Sequence, residues 1–156
     1  MRVHICAVGR LRAGPELALI EDYLSRFDRS GRNLGLGPSR VIEVEDKKGV
    51  GRVAEENLLL GSIPKGAKTC LLDERGKTLT SPNFADELGR WRDTGCQDLA
   101  LLIGGADGFS LEFRENADLL LSFGAMVWPH MLARVMLSEQ LYRASTILAG
   151  TPYHRV

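Results

Sequence analysis

Five short apolar runs, each closed by glycine, proline or a polar cluster and each followed by a stretch with helical spacing, constrain this chain more than any other feature. Residues 3–8 are apolar and β-rich and stop at Gly9. Pro15 suits the first turn of a helix, and Leu17, Ile20, Leu24 and Phe27 then repeat at helical spacing. Residues 30–39, rich in Gly, Asn and Pro, read as a loop. A second strand is expected over 41–44, a charged mobile segment over 46–51 and a short helix over 53–60. The third strand is expected over 68–72, with the following Asp-Glu-Arg-Gly-Lys as a polar turn. Ser81 and Pro82 read as cap and first turn of a helix whose apolar face carries Phe84, Leu88 and Trp91. Residues 99–103 form a fourth, fully buried strand, and Ser110 caps a short helix running to about Ala117. The fifth strand covers 119–123, and a long helix covers 132–148. Strands alternating with helices predict an α/β fold, one domain over residues 1–156, with a mostly parallel sheet and helices on both faces. Such a sheet holds ligands at the carboxyl ends of its strands.

Composition narrows the function classes. Lys plus Arg and Asp plus Glu number 20 each, so the net charge is zero, which argues against a non-specific polyanion binder. Arg2, Arg10, Arg12, Arg26, Arg29, Arg32 and Arg40 nevertheless crowd the first forty residues. No apolar stretch is long enough to span a bilayer, and the start lacks the apolar core of an export signal, so a cytoplasmic protein without membrane partners is expected. Cys6, Cys70 and Cys96 are widely spaced and form no CxxC pair, which points to free thiols. His4, His130 and His154 show no metal-ligand spacing, so no metal is expected.

Three strand-end loops carry the candidate chemistry: 73–77, 104–109 and 124–130. Gly104 and Gly105 follow a buried strand and allow close approach of a ligand, although a tight turn would also use them. The motif is neither GxGxxG nor a P-loop, and it lies late in the chain, which weighs against a dinucleotide enzyme. Trp128-Pro129-His130 ends the fifth strand, with His130 open to a simple capping role. Glu139 and Arg143 are spaced for a helical ion pair. Tyr153, His154 and Arg155 join stacking, titratable and cationic groups at a terminus, where fraying is the ordinary expectation.

Taken together, AVGR near the start, LDERGK, LLIGGADGFS, LSFGAMVWPHMLARVMLSEQLYRA and the terminal PYHR resemble the RlmH family of SPOUT-class methyltransferases, end to end. The resemblance implies methylation at N3 of a pseudouridine in 23S rRNA, on the ribosome, from S-adenosylmethionine. It implies an α/β-knot with a C-terminal trefoil knot, and a homodimer in which the tail completes a site beside the partner. It also implies cofactor contacts by Leu72, Gly104, Gly105, Phe123, Gly124, Ala125, Met126, Val127 and Trp128. Trp128 is bulkier than the Leu or Phe expected there. Glu139, Arg143, Tyr153 and His154 would serve the methyl transfer, with His154 the best-suited base, and His130, Arg134 and Arg155 would face the RNA. A non-catalytic ribosome-associated binding protein of the same fold is the alternative, and the tail argues against it.

Overall fold

The computed structural model describes residues 1–155. In chain order its elements are β1 (Arg2–Val8), α1 (Pro15–Gly31), a single 3-10 turn (Arg32–Leu34), β2 (Ser39–Val44), α2 (Arg52–Ser62), β3 (Lys68–Thr78), α3 (Ser81–Asp93), β4 (Asp98–Ile103), α4 (Leu111–Glu115), β5 (Leu119–Ser122) and α5 (His130–Ala149). The five strands form one sheet in the order β2-β1-β4-β3-β5, and every pair is parallel.

Side chains alternate across this sheet with period two. Val3, Ile5 and Ala7 of β1, with Leu99, Leu101 and Ile103 of β4, face α1, α3 and α5. Cys6 of β1, Ala100 and Leu102 of β4 and Leu71 of β3 face the other way, onto Leu59 of α2 and Phe109 and Phe113 around α4. All six residues of β4 are buried, as a central parallel strand covered on both faces requires. The thiols of Cys6 and Cys70 are free and buried in these layers; burial pushes them up to about 11 and about 12.

The layering positions the site. The helices that follow β3 and β5 lie on one face and the helix that follows β4 lies on the other. Neighbouring strands whose continuations diverge leave a crevice at their carboxyl ends.

Four local expectations are corrected. Residues 73–77 are no free turn. β3 runs on through them to Thr78, with a register shift between Leu72 and Lys77 opposite Leu121 of β5. Gly76 makes this possible: a Cβ there would lie 2.6 Å from the Leu120 carbonyl carbon. The expected loop over 30–39 begins later, because α1 continues to Gly31 and turns through the 3-10 segment. The cap of α3 is Thr80, whose hydroxyl accepts from the Asn83 amide, while Ser81 donates to Gln140 of α5 at 2.7 Å. α5 starts directly after Pro129, with His130 as its first residue rather than its cap.

Candidate cofactor cleft and C-terminal cluster

A cleft of about 390 Å³ opens at the carboxyl ends of β3, β4 and β5. Its floor is Leu72, Ile103 and Leu121, one from each strand. The Gly105–Gly108 loop forms one wall, and Phe123, Gly124, Met126, Val127 and Trp128 form the other. The volume suits a single small-molecule ligand. Met126 and Val127 are 75% and 86% exposed, so the second wall is open in a single chain. Asp73, Glu74, Arg75 and Asp107 also line the cleft; Arg75 pairs with Asp73 at 3.4 Å and Glu74 at 3.9 Å, so the surplus is acidic but partly balanced. The Asp73 side chain is only 3% exposed and is fixed by the Arg75 backbone amide at 2.9 Å.

Of the expected cofactor contacts, Leu72, Gly105, Phe123, Gly124, Met126, Val127 and Trp128 meet in this cleft. Gly104 and Ala125 are not among its lining; Gly104 is buried behind it, against the Phe109 ring. A Cβ at Gly105 would lie 2.5 Å from a Glu55 carboxylate oxygen, so a side chain there would have to push the end of Glu55 aside. Asp73 and Asp107 escaped the sequence reading. Asp73 sits in what looked like a turn, and only the β3 extension turns it inward.

The residues assigned to RNA separate. His130, exposed, lines the cleft rather than a distant surface. Arg155 is exposed at the tail. Arg134 faces no RNA: its side chain is buried. It pairs with Glu43 at 2.8 Å and donates to the carbonyls of Val8 and Gly9 at 3.2 and 2.7 Å. The first turns of α5 lie over the ends of β1 and β2, and this guanidinium locks them together. Burial opposes ionisation of Glu43, but the bonds from Arg134 and the Leu11 amide win and hold its carboxyl below the usual range.

The four expected catalytic residues do converge, though not at the cleft. Arg143 donates to Glu139 Oε1 through Nε at 3.0 Å and Nη2 at 2.6 Å. Tyr153 donates its hydroxyl to the same oxygen at 3.0 Å. Gln140 donates to the other carboxylate oxygen at 2.9 Å. Arg143 Nη1 lies 3.2 Å from His154 Nδ1. The Arg143 guanidinium also lies over the Tyr153 ring, which packs on Tyr142. The tail is thus folded back on α5 rather than frayed. Burial and then the Glu139 carboxylate push the Tyr153 hydroxyl up to about 12. Among the described residues, neither Arg143 nor the tail lines the cleft; Glu139 instead lines an adjoining cavity of about 540 Å³ that shares Leu121–Gly124 with it. Among the described residues no cluster of side chains could hold a metal ion, and no helix is long and apolar enough to cross a membrane.

A five-stranded parallel sheet with a cleft at its carboxyl edge defines an α/β protein built around a small-molecule site. The chain belongs to the SPOUT methyltransferase family, whose model, described as "Predicted SPOUT methyltransferase", matches residues 1–154. It is 67% identical over 156 residues, all of both chains, to "Ribosomal RNA large subunit methyltransferase H" of Ruegeria sp. (strain TM1040). It is 69% identical, again over all of both chains, to the protein of the same name from Ruegeria pomeroyi. Among solved structures it is similar to a probable methylase family protein from Haemophilus influenzae Rd KW20. That likeness has a TM-score of 0.52 at 10% identity, covers 99% of this chain and 70% of that one, and speaks to the fold alone.

Proposed function

We propose that this chain, as a homodimer in the cytoplasm, methylates N3 of a pseudouridine in 23S rRNA of the assembled ribosome, with S-adenosylmethionine as donor. The observation that carries the reading is its 67% identity, over both full lengths, to a relative named for rRNA methylation. The family's trefoil knot is part of the same reading.

The cleft fits the donor on its chemistry. S-adenosylmethionine, when bound, supplies a methyl group on a positively charged sulfur. With Arg75 pairing Asp73 and Glu74, the remaining acidic surplus that includes Asp107 favours a cationic ligand, and the apolar floor of Leu72, Ile103 and Leu121 suits an adenine face. Gly105 leaves the loop backbone open to close approach, and Met126, Val127 and Trp128 are placed to cover the ligand.

The tail cluster fits the other reactant. The pseudouridine N3 is an imide N–H with a pKa of about 9 to 10, comparable to a tyrosine hydroxyl. Arginine can only donate, so its contact with His154 Nδ1 puts the histidine proton on Nε2. Arg143 and His154 therefore present donors, which stabilise the anion formed as N3 gives its proton to solvent water before the nitrogen takes the methyl group from the sulfonium and the neutral thioether leaves. This revises the sequence expectation of His154 as the base. Tyr153, held by Glu139 beneath the Arg143 guanidinium, keeps that guanidinium in place.

The separation of cluster and cleft within one chain supports the homodimer, with the tail of one copy reaching the cleft of the other. The open apolar wall, Met126 and Val127 with Met131 and Leu132 at the start of α5, is surface that a second copy would cover. Tritiated methyl transfer from S-adenosylmethionine to ribosomes tests the reading. Label is expected in 23S rRNA only where the target is pseudouridine; cofactor binding without transfer to any ribosomal substrate would replace it with a non-catalytic binder.

A further inference from the structure

We propose that Arg40, held in place by a buried His4–Asp98 pair, binds a phosphodiester of the RNA substrate at the pole of the sheet opposite the cofactor cleft. The proposal rests on the rRNA reading above for the identity of the RNA.

The site is a cavity of about 400 Å³ at the amino ends of β1 and β4, lined by Arg2, His4, Arg40 and Asp98 among others. Parallel pairing sets it: Arg2 lies opposite Asp98, and His4 lies opposite Arg40. His4 and Asp98 are buried, and His4 Nε2 lies 2.7 Å from Asp98 Oδ1. Arg40 donates from Nε to His4 Nδ1 at 2.6 Å. Because arginine only donates, Nδ1 carries the lone pair and Nε2–H donates to Asp98. Both ring nitrogens are engaged, so His4 is neither a base nor a metal ligand here. It is a bracket for Arg40.

The two guanidinium groups differ in charge balance. Arg2 spends Nε and Nη2 on Asp98, at 2.8 and 2.7 Å, so its charge is matched. Arg40 leans on a neutral ring, and among the described residues it makes no ion pair. The cavity therefore holds one net positive charge, on a fork whose Nε is fixed and whose Nη groups remain to be used. Such a fork matches the oxygens of a phosphate. A chain of zero net charge cannot gather RNA by bulk attraction, so fixed local cations matter more. The strands between the poles are about 20 Å long at about 3.3 Å per residue, a span that a folded RNA presented to the cleft could bridge.

The test uses the full chain and an rRNA fragment containing the target. Binding is measured over a salt series, with methyl-transfer kinetics and cofactor calorimetry alongside. Arg40→Gln should weaken RNA binding several-fold and lower the salt slope by about one. KM for RNA should rise while kcat and cofactor affinity hold. Arg40→Lys keeps the charge and loses the Nε–H to His4; its slope should match wild type while its affinity falls short, and wild-type affinity would remove His4 as a positioning residue. Unchanged slope and affinity in Arg40→Gln overturn the proposal. A second arm titrates inorganic phosphate against the Arg40 Nε–H resonance. A response there with no change in the RNA slope assigns the cavity to free phosphate and also overturns the RNA contact. An Arg40-dependent slope in a protein that transfers no methyl would sustain this site while sinking the enzymatic reading.

Discussion

Arg143 donates to His154 Nδ1 at 3.2 Å, so the tail histidine meets its surroundings with an N–H rather than a lone pair. His154→Ala should then cost about 10²–10³ in kcat, the range for losing one donor to a developing anion. Cofactor affinity should hold, since none of the residues that line the cleft is changed. His154→Gln separates the two roles, because an amide N–H can replace a donor and cannot replace a base. Substantial activity is expected in His154→Gln; activity as low as in His154→Ala would restore the general base.

Gly76 is the one residue of the β3 extension that cannot carry a side chain. A Cβ would meet the Leu120 carbonyl carbon and oxygen and the Leu121 amide nitrogen, at 2.6, 2.7 and 2.8 Å. These are backbone atoms of β5, the edge strand that pairs with β3, rather than the movable end of a side chain, so they do not yield cheaply. Gly76→Ala is expected to destabilise the fold by at least about 2–3 kcal/mol, in the range for overpacking. Chemical denaturation reads this directly. A wild-type midpoint would mean that the two strands move apart freely.

Arg134 gives a contrasting expectation. Glu43 keeps access to water, so Arg134→Ala mainly leaves the Val8 and Gly9 carbonyls without their donor and should lower stability by about 1–3 kcal/mol. Its salt slope for RNA should equal that of wild type. A slope reduced by about one would place Arg134 on a phosphate after all.

The frame of this fold was legible in the sequence because its strands are apolar and its breaks carry Gly, Pro or Ser. Ser110 reads as a cap and acts as one, accepting from the Phe113 amide. The residues of the cleft's apolar wall were legible from the family resemblance. Charge-rich residues 73–77 were misread because their strand pairing is non-local: Lys77 and Thr78 find Leu121 and Ser122 some forty residues away. That error hid Asp73. Arg134 was misread for a similar reason, since no local pattern reveals that Glu43 waits under the first turns of α5. His4 was read only as lacking metal-ligand spacing, because its partners Asp98 and Arg40 become neighbours only when β1 pairs with β4 on one side and β2 on the other.

Tyr153 and Glu139 give the tail a pH signature. Burial first, and then the carboxylate that accepts its hydroxyl, raise Tyr153 to about 12. A raised pKa means that the folded state holds the proton more tightly than the unfolded chain does. Its contribution to stability is therefore complete below the ordinary tyrosine value of about 10 and is lost as pH rises toward about 12. Ultraviolet difference titration of wild type against Tyr153→Phe isolates this one hydroxyl from Tyr23 and Tyr142. The difference should titrate near 12 and move down in Glu139→Gln, where the neighbouring charge is gone. The stability gap between wild type and Tyr153→Phe, followed by denaturation, should narrow over the same alkaline range. A Tyr153 that titrates at the ordinary value in wild type would mean that the tail does not rest on α5 in solution.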